Sequence, residues 1–182
     1  MVIKKPYMHN VRIFVCSFFI HFILTGYLSA QYKTDVIKAA YIERITRFIE
    51  WPPVISARDP TVFVIGVYEE PEFYKTLIEV FKVKTIKDRK VKILKITDPD
   101  QIKFCDICYI SEKGKPEIKK FVSLANENGV LLISDSRDFG LAGIHINFFV
   151  EDDKLKFEIN KASIDSGKLK VSSLLMKSSK VI

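Results

Sequence analysis

The chain has 182 residues, 48% of them hydrophobic and 28% charged, with 14 phenylalanines and a formal net charge of +7. That composition excludes a disordered or low-complexity chain, and the length suits one domain that buries roughly two-thirds of the surface its unfolded chain exposes. Three of the surplus positive charges, Lys4, Lys5 and Arg12, fall in the first 30 residues, which hold no acidic residue, so the rest of the chain carries only +4.

Those first residues read as a secretory signal peptide. Lys4, Lys5 and Arg12 form a basic n-region, Ile13 to Tyr27 is an apolar run of 15 residues, and Leu28-Ser29-Ala30 ends on a small residue before Gln31. The run is short of the ~20 residues that span a bilayer as a helix. An uncleaved N-terminal anchor is the alternative, because Leu28 is larger than the usual residue three before a cut. Cys16 lies inside the run, so the lipoprotein pattern of a cysteine at the cleavage point is absent. The expectation is a signal peptide over 1–30 and one exported domain over 31–182.

After the leader, Thr34 to Glu50 reads as a helix capped by Thr34 or Asp35, with Ile37, Tyr41, Ile45, Phe48 and Ile49 as its buried stripe. Pro52 and Pro53 stop it, leaving Trp51 at its end. Val62 to Tyr68 is a nearly continuous apolar run, the mark of a strand covered on both faces. Glu72 to Phe81 is a helix. The basic run Lys82, Lys84, Lys87, Arg89, Lys90 and Lys92 alternates with Val83, Ile86, Val91 and Ile93. It reads as a solvated strand edge rather than a nucleic-acid site, with a strand over Lys90 to Ile96. Asp98 to Phe104 is a short helical turn, Asp106 to Ser111 a strand, Lys115 to Asn126 a helix ended by Gly129, and Val130 to Ser134 a strand. Ile144 to Val150 and Leu155 to Ile159 flank the polar turn Glu151 to Lys154 as a hairpin. Asn160 to Ser166 and Val171 to Ser178 close the chain as short helices. Alternating strands and helices followed by a hairpin predict an α/β fold: a single compact domain with a mainly parallel sheet flanked by helices and a C-terminal antiparallel hairpin.

Little in this chain argues for catalysis. Cys105 and Cys108 are too few for a disulfide framework. As a CxxC they open a predicted strand, not a helix. Positions i and i+3 of a strand face opposite ways, so the sulfurs are expected to diverge as two structural thiols. A thiol–disulfide enzyme is the reading this motif alone would favour. His145 is the single histidine after residue 30. A triad drawn from it with Ser134, Asp135, Ser136 or Asp138 lacks the glycine-flanked elbow a serine nucleophile needs. Gly140 to Gly143 enters a strand and cannot offer a helix N-terminus to phosphate. The expectation is a protein without enzyme activity, cofactor, metal or nucleic-acid partner.

The order of landmarks resembles the YfiR family of periplasmic regulatory proteins. The matching pieces are Ile37 to Tyr41 running into Phe48 to Pro52, Val64 to Val67, Cys105 to Ser111, Val130 to Asp135, Gly143 to Phe148, Lys156 to Asn160, and Leu169 to Leu175. The resemblance implies a non-enzymatic α/β domain, often dimeric. It would bind the periplasmic segment of an inner-membrane diguanylate cyclase and repress it, lowering cyclic di-GMP and biofilm formation. A homodimer and a small ligand are further partners it admits. The alternative is a periplasmic small-molecule-binding accessory module for a transporter or sensor kinase. Cys105 matches a family cysteine whose partners are missing here, and Cys108 stands where an aliphatic residue is usual, which argues against redox control. Arg44, Arg47 and Arg58, expected to be exposed near Trp51, are the candidate partner surface together with Trp51. Asn147 and Asn160 are added as candidate binding residues, against the plainer role of satisfying backbone groups at strand ends.

Overall fold

The computed structural model describes residues 33–53 and 58–182. The expected signal peptide lies outside the described residues. The compact unit is Asp35–Ile182, and among the described residues no helix is long and apolar enough to cross a membrane.

Helix α1 occupies residues 33–46 and buries Asp35, Lys38, Ala39, Ile42, Ile45 and Thr46. The expected stripe is thus rotated: Ile37 is 40% exposed, and Tyr41 and Phe48 are only half-buried. The helix also ends before Glu50. Ile49–Glu50 forms β1, which pairs antiparallel with β9, Lys170–Val171, and the Ser172 amide donates to the Phe48 carbonyl at 3.0 Å. A partner 120 residues away leaves no trace in local periodicity.

The remaining elements follow in order. They are β2 (Val62–Tyr68), α2 (Pro71–Phe81), β3 (Thr85–Ile86), β4 (Arg89–Ile96), a 3-10 helix (Pro99–Phe104), β5 (Ile107–Ile110), a second 3-10 helix (Glu112–Glu117), α3 (Ile118–Asn128) and β6 (Leu131–Ser134). The chain closes with β7 (Ile146–Glu151), β8 (Lys154–Ile159), α4 (Lys161–Ser166), α5 (Ser173–Lys177) and β10 (Lys180–Val181). Eight strands form one sheet in the order β10-β8-β7-β6-β5-β2-β4-β3. Its centre is parallel, and β7–β8 is the expected antiparallel hairpin. Asp152 and Asp153 both take positive φ, 52° and 56°, as a two-residue hairpin turn requires. α3 starts at Ile118 rather than Lys115, because the residues up to Glu117, Pro116 among them, form the 3-10 helix ahead of it.

Period-two alternation sorts the central strands into two layers. Phe63, Ile65, Val67, Ile107, Tyr109, Leu131 and Ile133 pack with Ala39, Ile42 and Ile45 of α1 and Phe73, Leu77 and Phe81 of α2. Cys108, Ile110 and Leu132 pack on the other side with Ile102, Ile118, Phe121, Ala125 and Phe139. Two glycines are demanded by this packing. Gly129 ends α3 at φ 60°, the left-handed cap expected there. Gly66 has no room for a side chain, since a Cβ would stand 2.7 Å from Cys105 Sγ and 2.9 Å from Ile96 Cγ1.

Candidate functional site

The β1–β9 ribbon brings the end of α1 beside α5, whose first turn is capped by Ser172 accepting from the Leu175 amide. This leaves a groove along the outer flank of α1. One hollow, of about 350 Å³, is lined by Tyr41, Arg44, Arg47, Phe48, Phe157 and Leu174 among others. A second, of about 380 Å³, is lined by Tyr41, Phe149, Leu155, Lys156, Phe157 and Lys180 among others. Tyr41, Phe157 and Ser178 belong to both. Tyr41 of α1 and Phe48 just past its end are among the residues that periodicity assigned to the core, and their half-exposure makes the groove.

The groove has an aromatic floor. Tyr41 stands edge-on to Phe148 and Phe157 at centroid distances of 6.0 and 6.1 Å and donates its hydroxyl to the Leu155 carbonyl at 3.3 Å. Leu174 is 59% exposed at the rim. The rim carries four cations, three of them paired with carboxylates. Arg47 pairs with Glu43 at 2.7 Å, Lys180 with Glu158 at 3.5 Å and Lys156 with Glu151, while Arg44 is exposed. An apolar trough edged by arginines and lysines suits a partner that offers apolar side chains and carboxylates.

The other candidate residues lie elsewhere. Trp51 donates its indole N–H to the Asp106 carbonyl at 3.1 Å and stands edge-on to Phe63. Arg58 is not the exposed residue expected: its side chain is 8% exposed. It donates to the carbonyls of Lys103 at 3.2 Å, Asn128 at 2.6 Å and Gly129 at 3.5 Å, and burial lowers its pKa. Both residues tie the N-terminal end of the sheet. Asn160 caps α4 by accepting from the Ser163 amide and donates to the Gly140 carbonyl, each at 2.8 Å. Asn147 is buried and donates to the Ser136 carbonyl at 3.1 Å and Glu158 Oε1 at 3.3 Å. Of the six candidates, the structure brings only Arg44 and Arg47 together in the groove.

The residues that suggested chemistry are engaged in packing. His145 Nδ1 accepts from the Leu132 amide at 3.1 Å, and Nε2 lies 3.2 Å from Asn126 Oδ1, so the neutral ring carries its proton on Nε2. Ser134 donates to the Ile110 carbonyl at 2.7 Å, and Asp135 accepts from Tyr109 and Lys38. The nucleophile–base contact of a triad is therefore not assembled. Cys105 precedes β5 instead of opening it, which corrects the expected divergence. Both thiols lie in the same apolar layer and both are free. Burial pushes the Cys105 pKa up to about 12 and raises that of Cys108, which suppresses the thiolate that exchange chemistry needs.

Burial pulls the His145 pKa down to about 4, against about 6.5 in an unfolded chain. Between these values the unfolded chain binds the proton and the folded one does not. Stability from this group is therefore complete above pH 6.5 and is lost as pH falls towards 4, by roughly 3 kcal/mol in all. Urea unfolding from pH 7 to pH 4 should show this slope in the wild-type protein and a shallower one in His145→Gln.

Two clusters are centred on residues outside the sequence-based candidates, although the first also gathers Trp51 and Arg58. Asp106 collects the N-terminal end of the sheet, and Lys38 is held at the opposite end by Asp35 and Asp135. Neither residue belongs to a recognisable motif. The one available signal was the break they make in apolar runs, a lysine among the apolar positions of α1 and an aspartate just ahead of β5.

The model of the YfiR/HmsC-like family matches residues 35–180. No curated protein matches the chain in sequence. Among solved structures, a conserved domain protein from Vibrio cholerae O1 biovar eltor is similar at a TM-score of 0.54 and 12% identity, over 81% of this chain and 59% of that one. The ABC domain in complex with L-Trp from Streptococcus pneumonia is similar at 0.50 and 13%, over 77% of this chain and 61% of that one. At these identities the likeness is one of fold, and the chain spans about three-fifths of either structure.

Proposed function

The chain belongs to the YfiR/HmsC-like family, and from that premise we propose that it is an exported, non-enzymatic periplasmic regulator. It binds the periplasmic segment of an inner-membrane signalling protein of the diguanylate cyclase type and holds it inactive. The mechanism is a population shift: the domain binds the inactive state of its partner more tightly than the active state. Release of the domain raises cyclic di-GMP and favours biofilm formation. The observation that carries this reading is the arginine-rimmed groove between α1 and α5, which is built for contact and touches none of the buried polar groups.

Arg44→Glu with Arg47→Glu tests it. Both side chains point to solvent, so thermal stability should change little, while affinity for the partner segment should fall at least about tenfold, roughly 1.4 kcal/mol. Cellular cyclic di-GMP should rise accordingly. Unchanged affinity and unchanged cyclic di-GMP would place the interface elsewhere.

A second reading is a periplasmic small-molecule-binding module serving a transporter or sensor kinase. The two hollows favour it, being of the size of small-ligand pockets. A thermal-shift screen in which one compound class stabilises the wild-type protein but not the arginine variant would move the assignment to this reading.

A further inference from the structure

We propose that the outer edge of β4 is a docking site for an extended acidic segment of another protein, which adds to the sheet as a further strand. β4 pairs with β2 along Lys90 to Ile96. On its other side β3 covers only Arg89 and Lys90. Among the described residues, Val91 to Ile96 therefore have no strand partner on that side. Which backbone groups point outward follows from the hairpin. Lys87 and Asp88 both have positive φ, 50° and 61°, which makes a two-residue turn. The residues flanking such a turn, Ile86 and Arg89, exchange hydrogen bonds across the ladder. Backbone direction alternates along a strand, so Val91, Ile93 and Lys95 turn their N–H and C=O groups to the open edge, and Lys92 and Leu94 turn theirs to β2.

The side chains specify the occupant. Leu94 and Ile96 pack into the α3-side layer, so Lys90 and Lys92 share their face by the period of two, and both are exposed. Val91 and Ile93 lie on the other face, against the α2-side layer. Further along that face a hollow of about 190 Å³ opens beside Lys95, walled by Val67, Pro71 and Tyr74. A strand added here would set one row of side chains abreast of Lys90 and Lys92 and the other beside Val91, Ile93 and this hollow. Alternating carboxylates and apolar residues match both rows, with main-chain bonds supplying affinity and the side chains selectivity. A second copy of this chain is the wrong occupant, since its own β4 would bring three more lysines and no carboxylate to set against Lys90 and Lys92. The edge lies at the far end of the sheet from β8 and the groove, so this inference does not rest on the regulatory reading.

The test uses the purified exported protein and a fluorescein-labelled octapeptide of alternating valine and glutamate, followed by fluorescence anisotropy at low salt. Saturable binding is expected, with hydrogen exchange slowed at the Val91, Ile93 and Lys95 amides. Lys90→Glu with Lys92→Glu should weaken binding at least tenfold, and a valine–lysine peptide should regain binding to that variant. The same valine–glutamate peptide with alternate backbone amides N-methylated on its bonding edge should lose binding to the wild-type protein. Undiminished binding of the N-methylated peptide would overturn strand addition in favour of charge attraction alone. Absence of binding, or protection confined to another element, would overturn the site.

Discussion

Asp106→Ala is expected to lower the stability of the domain by about 3–5 kcal/mol, the cost of removing one partner from a buried ionic cluster. Asp106 is 4% exposed. Its Oδ2 accepts from the Val64 amide at 2.8 Å, and its Oδ1 lies 3.3 Å from Arg89 and 3.8 Å from Arg58. Its main chain is bonded on both sides, to the Val64 carbonyl and the Leu131 amide, each at 2.9 Å, and to the indole of Trp51. The alanine variant keeps the main-chain bonds but leaves the Val64 amide without its acceptor and two guanidinium groups without their counter-charge, so the loss measures the side chain alone. Asp106→Asn, which still offers an acceptor to Val64, should lose less. Urea-unfolding midpoints of the two variants should therefore rank alanine below asparagine below wild type. Equal midpoints for alanine and wild type would show that the arginines are held by carbonyls without it.

Lys38→Met should cost about 2–4 kcal/mol, slightly less because one of its partners is partly solvated. The ammonium lies 2.6 Å from Asp35 and 2.8 Å from Asp135, with Lys38 itself 3% exposed and the Asp135 side chain 36%. It also stands 4.9 Å above the ring of Phe73 and 5.8 Å from that of Tyr109. Burial on its own would pull the lysine pKa down, but Asp135 and Asp35 outweigh it and hold the pKa above the usual range. Glu70 faces the same group of charges, and its pKa is raised by burial and by Asp135. Removing Lys38 leaves these carboxylates to repel one another. Adding Asp135→Asn to the methionine variant should recover part of the loss, a coupling that a double-mutant cycle reads directly. Additive losses would mean that Lys38 acts through its packing on Phe73 and not through charge.

These two clusters also explain where the sequence could be read and where it could not. The central strands were legible because Val62 to Tyr68 and Val130 to Ser134 are apolar on both faces, and the β7–β8 hairpin because its turn is polar and its flanks alternate. The basic run from Lys82 was rightly read as a sheet edge, yet β3 went unseen, since Lys87 and Asp88 make a turn usually signalled by asparagine or glycine. The face of α1 was misjudged because Asp35 and Lys38 neutralise each other in the core, and a pattern that counts only apolar residues turns the helix away from them. That displaced Tyr41 and Phe48 into the predicted core and hid the groove they line. Arg58 was misjudged for a related reason: the carbonyls it serves belong to residues 103, 128 and 129, which no local pattern joins to it. The two-residue strands β1, β9 and β10 exist only through their partners.

The central claim is that the groove between α1 and α5 holds a membrane signalling protein. It is tested most directly by placing a photo-crosslinking amino acid at Leu174, on the groove rim, in the tagged protein, irradiating living cells, and identifying the adducts by mass spectrometry. The account predicts adducts with an inner-membrane cyclase or kinase that carries a periplasmic segment, and their disappearance when Arg44→Glu and Arg47→Glu are added. Self-adducts or transport proteins alone, or adducts indifferent to the two arginines, would contradict it.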